Sequence, residues 1–249
     1  MTAVAGTPPF GRRIGTTARV HLANPWALIY TPTLIMLAVF GLNFAIWHVV
    51  LFAAGDRPID PHAFDYNGGA TWVMFYLVVV AVQAMNQTFS FTVGLGSTRR
   101  DYYVGTALIF VCLALGFGAG IALMAGIERL TDGWGVDGHF FAPGFLQSLP
   151  VWELAAMYSL ALLLLTFVGA AAGAMFVRWA ATGVIVFFGI LAVVAVGIVY
   201  ILVAAHISGE VISFFADRSP LQIAVMTLPI TAVSALAGFL ILMRATPKG

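Results

Sequence analysis

The sequence has very little charge. Of its 249 residues, 8% are charged and 61% are hydrophobic. A soluble globular protein carries roughly a quarter charged residues, so this chain has too few to cover a water-facing surface. The composition therefore predicts an integral membrane protein. Its long apolar runs, described below, predict an all-α polytopic protein, which we place in the cell's inner or plasma membrane. The net charge of +1 and the lack of a basic run favour no nucleic-acid partner.

Lysine and cysteine are almost missing. The only lysine is Lys248, so the chain cannot form a Walker A loop, whose lysine reaches the nucleotide phosphates. The glycine pair Gly94 and Gly96 is therefore no nucleotide loop, and we expect no ATPase activity in this chain. The single cysteine, Cys112, excludes an internal disulfide and a cysteine metal site. No catalytic set of Ser, His and Asp is legible, so we predict neither an enzyme nor a bound metal or cofactor.

Long hydrophobic runs account for most of the chain. A membrane core about 30 Å thick needs roughly 20 apolar residues of helix to cross it. Six segments qualify, and together they predict one transmembrane domain over residues 1–249 with no soluble domain. The predicted spans are 26–52, 70–92, 104–127, 151–177, 181–206 and 221–243.

The basic residues predict the orientation of these spans. With the N-terminus inside, eight of the eleven basic residues fall in the cytoplasm and three outside, which is the positive-inside pattern. Both termini are then cytoplasmic. The residues predicted inside are Arg12, Arg13, Arg19, Arg99, Arg100, Arg178, Arg244 and Lys248.

A short basic segment precedes the first span. In residues 10–24 apolar side chains recur every four positions, at Phe10, Ile14, Ala18 and Leu22, and the arginines lie mostly off that row. The pattern predicts an amphipathic helix lying in the inner interface, with its arginines toward the lipid headgroups. A disordered basic tail that serves only the topology is the alternative.

Two kinds of pattern lie within the spans. Gln83, Asn86, Gln87 and Ser90 share one helical face, and we expect that face to meet protein or a water-filled path, because amides are costly in hydrocarbon. The runs 116–120 and 169–173 have G-x-x-x-G spacing, which indicates close helix packing, within the bundle or between subunits.

His48 and His206, near the predicted outer ends of spans, leave a haem protein open as an alternative.

Several of these features together resemble a known family. Six spans, a basic amphipathic lead-in and the turn "LGSTRRDYYVGTAL" are similar to the permease subunits of type-2 ABC exporters. Small bacterial members carry a similar G-x-S-R-R-x-[FY]-x-x-G turn. The segment "IERLTDGWGVDGHFF" resembles the E-x-x-T-G-G-W-G-x-x-x-x-F-F loop of an actinobacterial branch, with Asp132 in place of the first glycine.

The resemblance implies functions for particular segments. The turn after the second span would dock on a separate ATP-binding subunit that carries ATP and Mg, and a second permease subunit, identical or a sibling, would complete the path. The lead-in would be a connecting helix, and 209–229 would form outer re-entrant helices broken at Pro220 and Pro229. A haem or redox bundle and a non-transporting scaffold or immunity protein remain alternatives. The implied docking residues are Ser97, Thr98, Arg99, Arg100, Asp101 and Tyr102, with Arg178 and Trp179 as a second contact.

Overall fold

Helices make up most of the described part of the chain. The computed structural model describes residues 10–23, 25–60, 62–66, 69 and 71–245, which are 84% helical and contain no strand. Among these residues, five helical segments are long and apolar enough to cross a membrane. The protein is therefore an all-α, multi-pass membrane protein. The predicted boundaries at Asn24 and Ala70, and the predicted cytoplasmic Lys248, lie outside the described residues.

The helices follow the predicted segments closely. A single π-helical turn, Trp26–Tyr30, leads directly into the second helix, and Thr227 alone separates the last two. The α-helices of the described residues are α1 Phe10–Leu22, α2 Thr31–Ala54, α3 Thr71–Gly94, α4 Arg99–Leu130, α5 Val151–Ala204, α6 Ser208–Ala216, α7 Pro220–Met226 and α8 Leu228–Met243.

Local signals explain where several helices begin. The side chain of Thr98 accepts the backbone N–H of Asp101 and so caps the first turn of α4. Ser219 and Gln222 form a reciprocal capping box at the start of α7. Pro220 and Pro229 occupy the first turns of α7 and α8, where a missing N–H costs nothing. The predicted break at Pro220 is confirmed, whereas near Pro229 only Thr227, itself in the helical region, separates α7 from α8.

Helix α5 is broken near its middle. Its 54 residues would extend about 81 Å as one straight helix, more than twice the membrane core. The backbone of Ala180 leaves the helical region, with φ 57° and ψ −153°, inside the gap between the fourth and fifth predicted spans. The part before Ala180 packs in the bundle. No residue of the part after it, 181–204, is buried.

The core lies between α3, α4, α8 and the first part of α5. Phe89, Tyr102 and Phe110 fill it with small residues of α5 around them. A Cβ on Gly169 would lie 2.8 Å from the Val78 carbonyl oxygen, and one on Gly173 would lie 2.7 Å from the Met85 Cβ. This glycine pair therefore lets α3 and α5 approach closely, which confirms packing within the bundle for the run 169–173.

The other small-residue run behaves differently. Gly118 faces α5, where an added Cβ would lie 2.2 Å from the Ser159 hydroxyl oxygen. Gly116 and Gly120, which carry the G-x-x-x-G spacing, have no atom within 4 Å of an added Cβ. They lie on an exposed face of α4. Small residues here leave an open groove instead of a helix–helix contact.

Candidate functional site

The predicted docking turn divides into an exposed and a buried part. It lies at the end of the bundle where α1 packs, hereafter the α1 end. Thr98 and Arg100 are exposed, and Ser97 is half-buried. The side chains of Asp101 and Tyr102 are only 2% and 0% exposed. A partner cannot touch these two side chains. Of the six docking residues expected from the sequence, only the first four, residues 97–100, are accessible to a partner.

The buried Tyr102 connects the turn to α3. Its hydroxyl lies 2.9 Å from the carbonyl oxygen of Ala84 and 2.8 Å from the hydroxyl of Thr88. Its ring packs edge-on against Phe89, with centroids 5.4 Å apart. Ala84 and Thr88 lie in the same stretch of α3 as the predicted polar residues, which occupy positions 83, 86, 87 and 90. A side chain of the turn thus holds the helix that carries the polar face.

Arg99 connects the same turn to the last helix. Its guanidinium donates a 2.7 Å hydrogen bond to the carbonyl oxygen of Met243, the last residue of α8. Final carbonyls of a helix have no partner within the helix, and a cation there also complements the helix dipole. Arg99 is half-buried and therefore has a structural function, whereas Arg100 is exposed.

An ion pair attaches α1 to the turn. The Nε of Arg13 lies 3.5 Å from Oδ2 of the buried Asp101. A buried carboxylate without a cation is expensive, so this pair holds the start of α4 against α1. Gly105 permits the approach, because a Cβ there would lie 2.8 Å from the Thr17 Cβ and 3.1 Å from the Ile14 carbonyl oxygen.

The buried face of α1 differs from the apolar row seen in the sequence. Thr17, Ala18 and His21 are buried against α4, whereas Leu22, the end of that row, is 47% exposed. The ring of His21 hydrogen-bonds to the hydroxyl of Thr106 at 2.8 Å. Burial lowers the pKa of His21 to about 4, so the ring is neutral near pH 7. The predicted helix is present, and the side chain of Phe10 lies outside the described part.

The predicted polar face of α3 lies on the surface of the bundle. The amide side chains of Gln83, Asn86 and Gln87 are exposed, and Ser90 is half-buried. Within the described part of the chain, none of the three amides has a hydrogen-bond partner. Unpaired amides facing lipid are costly, so this surface requires water or another protein. We call Gln83, Asn86, Gln87 and Ser90 the α3 stripe.

The second predicted contact lies beside the break in α5. The guanidinium of Arg178 stands 4.3 Å from the ring centre of Trp179, a cation–π arrangement. Trp179 is exposed and Arg178 is half-buried. An apolar cavity of about 470 Å³ adjoins them, lined by residues on both sides of Ala180. Both side chains are thus at the surface of the α1 end.

The two histidines of the haem alternative have other contacts. Nδ1 of His48 hydrogen-bonds to the Phe44 carbonyl oxygen of its own helix at 3.0 Å, and its ring packs on Phe44. His206 lies exposed in the turn after α5 with φ 56°. Among the residues that the structure describes, no group of three or more His, Cys, Asp or Glu is placed to hold a metal.

A buried carboxylate organises the opposite end. Glu128 is fully buried and accepts the indole N–H of Trp134 at 3.0 Å. It also accepts three consecutive backbone N–H groups, those of Phe140, Phe141 and Ala142, at 2.8, 3.0 and 3.2 Å. Four N–H donors therefore meet at one buried carboxylate. We call residues 128–149, which fold around it, the Glu128 cap.

The Glu128 cap explains the loop motif seen in the sequence. Its Glu, Trp and paired Phe are the residues that meet at this carboxylate, which sequence reasoning did not anticipate. Asp132 has φ 48°, in the left-handed region that favours glycine, and Asp is one of the residues that tolerates it. In the sequence, the signal for this cap was the spacing of a single acid, Glu128, ahead of Thr131, Trp134 and the Phe140–Phe141 pair.

Neighbouring loops close around the cap. The ring of Trp47 fills the space beside Gly138, where a Cβ would lie 2.4 Å from the indole. His139 donates its backbone N–H to the Phe64 carbonyl oxygen at 3.2 Å, and Gly144 donates to the Asp65 carbonyl oxygen at 2.8 Å. Residues 62–66 and the cap therefore form one continuous surface.

The fold and its two ends define a class: a multi-pass α-helical membrane protein with an arginine-bearing turn at one end and a carboxylate-centred cap at the other. Comparison with known proteins adds no family to this description. No protein-family model matches the chain, and neither a curated protein nor a solved structure is significantly similar to it.

Proposed function

We propose that this chain is the six-span permease subunit of an ABC exporter in the inner or plasma membrane. It would form the substrate path with a second permease subunit, identical or a sibling. Separate ATP-binding subunits, carrying ATP and Mg, would dock at the α1 end. The chain itself then has no ATPase site, in agreement with its lack of a usable lysine.

The break at Ala180 supports the count of six spans. Residues 151–179 and 181–204 each extend at least about 36 Å as helix, enough to cross the membrane core alone. Taken as two spans, α5 joins α2, α3, α4 and the α7–α8 pair to make six. An even number of spans places both termini on one side, which the positive-inside pattern assigns to the cytoplasm.

The observation that carries the proposal is the exposed α3 stripe. Three amides without partners lie on a membrane-spanning surface, and a single chain in lipid would leave them unsatisfied. A second subunit facing this stripe, with water between the two, satisfies them and forms a path. A scaffold that remained a monomer would gain nothing from such a surface.

The contacts of Tyr102 support coupling between the turn and the stripe. The turn meets the ATPase through exposed Arg100, while Tyr102 holds α3 beside the stripe. Movement of the turn would therefore move α3. Transport is then a shift in population between inward-closed and outward-open arrangements of two such bundles.

The first experiment targets Arg100. The tagged chain is co-expressed with candidate ATP-binding proteins from its genome and purified from membranes. Arg100→Glu reverses an exposed charge and leaves the Arg99–Met243 hydrogen bond in place. We expect an ATPase to co-purify with the wild type and to be lost from Arg100→Glu, since charge-assisted contacts would become repulsive.

Arg57→Glu is the matched control, because Arg57 is an exposed arginine at the other end of the bundle. It should retain the ATPase. Equal insertion of all variants is checked by their yield in membranes. If inserted wild type brings no ATPase, or Arg100→Glu binds it as well as the wild type does, the proposal fails.

A second experiment tests the stripe. In a Cys112→Ser background, Asn86→Cys should cross-link two copies, or the chain and its sibling, with a short bis-maleimide. Leu42→Cys, at an exposed apolar position of α2, is the comparison. Cross-linking at Leu42 but not at Asn86 would refute the assignment of the stripe to the subunit interface.

A further inference from the structure

An apolar groove runs between α2 and α4. Its volume is about 650 Å³, within the range of small-molecule sites. One wall is α4, where Cys112, Gly116 and Gly120 are exposed at intervals of one turn. The other wall comes from the first half of α2 and includes Met36. Almost all of the lining is hydrocarbon, so the groove suits an apolar occupant.

The dimensions of the groove decide between two kinds of occupant. Its α4 wall extends from Ile109 to Met124, about 22 Å along the helix. A transmembrane helix 10 Å wide would need about 1,700 Å³ over that length, more than the groove holds even with its open side counted, about 1320 Å³. An extended acyl chain is much narrower. The length also exceeds one leaflet of the hydrocarbon core, about 15 Å, so a single chain fits along it.

The mouth of the groove lies at headgroup level. Leu22, the last residue of α1, lines the groove, and the exposed rings of Trp26 and Tyr30 follow directly. Aromatic residues of this kind mark the membrane interface. Arg19 precedes Leu22 by three residues, so the two share a face of α1. Arg19 is exposed and has no ion pair or hydrogen bond among the described residues.

We infer that the groove holds an acyl chain of an anionic phospholipid from the leaflet on the α1 side. The phosphate lies at Arg19, and the chain runs past Cys112, Gly116 and Gly120. Apolar length, narrow width and a cation at the mouth together specify this ligand class. The lipid would fill the space between α2 and α4, since only Pro32, Met36 and Trp47 of α2 are buried. The inference does not depend on the proposed transport function.

The test uses photoreactive lipids. The full chain is placed in phosphatidylcholine nanodiscs containing a trace of phosphatidylglycerol or phosphatidylcholine with the same diazirine-bearing acyl chain. Irradiation is followed by peptide mapping. We expect cross-links within 109–124, with the anionic probe favoured about fivefold, because one arginine near an anionic headgroup contributes on that scale. Arg19→Gln should remove the preference, and Arg57→Gln should not.

A filled groove provides the second variant. Gly116→Leu with Gly120→Leu places side chains where an added Cβ meets no atom within 4 Å, so the helix tolerates them. Cross-links within 109–124 should disappear, and Gly189→Leu, equally open but outside the groove, should leave them unchanged. Equal labelling by both probes, or labelling insensitive to the double variant, overturns the inference. Cross-linking of two copies through Cys112, which is exposed in the groove, by a short bis-maleimide would show a helix as the occupant and overturn it too.

Discussion

Removal of the Glu128 carboxylate should open the Glu128 cap. Glu128→Ala leaves four N–H donors without an acceptor: the half-buried Trp134 indole and the buried backbone N–H groups of residues 140–142. Each unsatisfied buried donor costs about 1–3 kcal/mol. The three buried backbone donors set a lower bound of about 3 kcal/mol on the free energy lost. That corresponds to a population of the opened cap about 150-fold larger.

Glu128→Gln separates charge from shape. The amide oxygen can occupy the position of Oε2 and still accept three donors, but its NH₂ group must then face the Ala142 N–H. Charge-assisted bonds are about twice as strong as neutral ones, so both changes weaken the cap. We expect a loss of about 2 kcal/mol, or about thirtyfold in opening.

Hydrogen exchange measures this opening directly. The amides of Phe140, Phe141 and Ala142 should be protected from exchange in the wild type, less protected in Glu128→Gln and nearly unprotected in Glu128→Ala. Glu210→Ala, which removes an exposed carboxylate on α6, should leave exchange unchanged. Equal protection of the three amides in Glu128→Ala and wild type would show that the carboxylate does not hold the loop.

Three further predictions concern the α1 end. Burial lowers the pKa of His21 from 6.5 to about 4, so the attachment of α1 should be fully stable above pH 6.5 and lose about 3 kcal/mol as the pH falls to 4. Hydrogen exchange of the α1 amides measures the free energy of this attachment. His21→Gln should abolish its pH dependence. Gly105→Ala should detach α1 by about 1–3 kcal/mol in the same assay, whereas Gly116→Ala, with open space around it, should not. Ala180→Gly should raise the thermal midpoint of unfolding by relieving about 1–3 kcal/mol of backbone strain, and Ala180→Val should lower that midpoint. A lower midpoint for the glycine variant would contradict the strained geometry.

Hydropathy and local signals were sufficient for much of the fold. The long apolar runs predicted each described helical segment that can cross a membrane, and the basic turn at 178–180 coincides with the break at Ala180. Proline and its fixed φ marked the starts of α7 and α8. These features depend on residues close together in the chain, which is why a single sequence reveals them. The count of spans and their orientation stay predictions.

The site was less predictable because its contacts join distant residues. Arg99 reads as a loop charge, yet its partner is the carbonyl of Met243, 144 positions away. His21 falls on the polar side of the four-residue row, yet Thr106, 85 positions away, gives it a buried partner. Glu128 directly follows the predicted span 104–127, a position where an acid is ordinary. Its four donors come from a loop whose left-handed residues turn the backbone inward.

The α1 end behaves as one mechanical unit because of these distant contacts. Arg13 joins α1 to Asp101, Tyr102 joins α4 to α3, and Arg99 joins α4 to α8. A force applied at the turn therefore acts on four helices together. By contrast, α2 buries three residues and 181–204 buries none. Local stability follows buried contacts, so relative motion should occur between the connected unit and these two weakly packed helices. Any partner that binds Arg100 would move the α3 stripe with the unit, while α2 and 181–204 adjust around it.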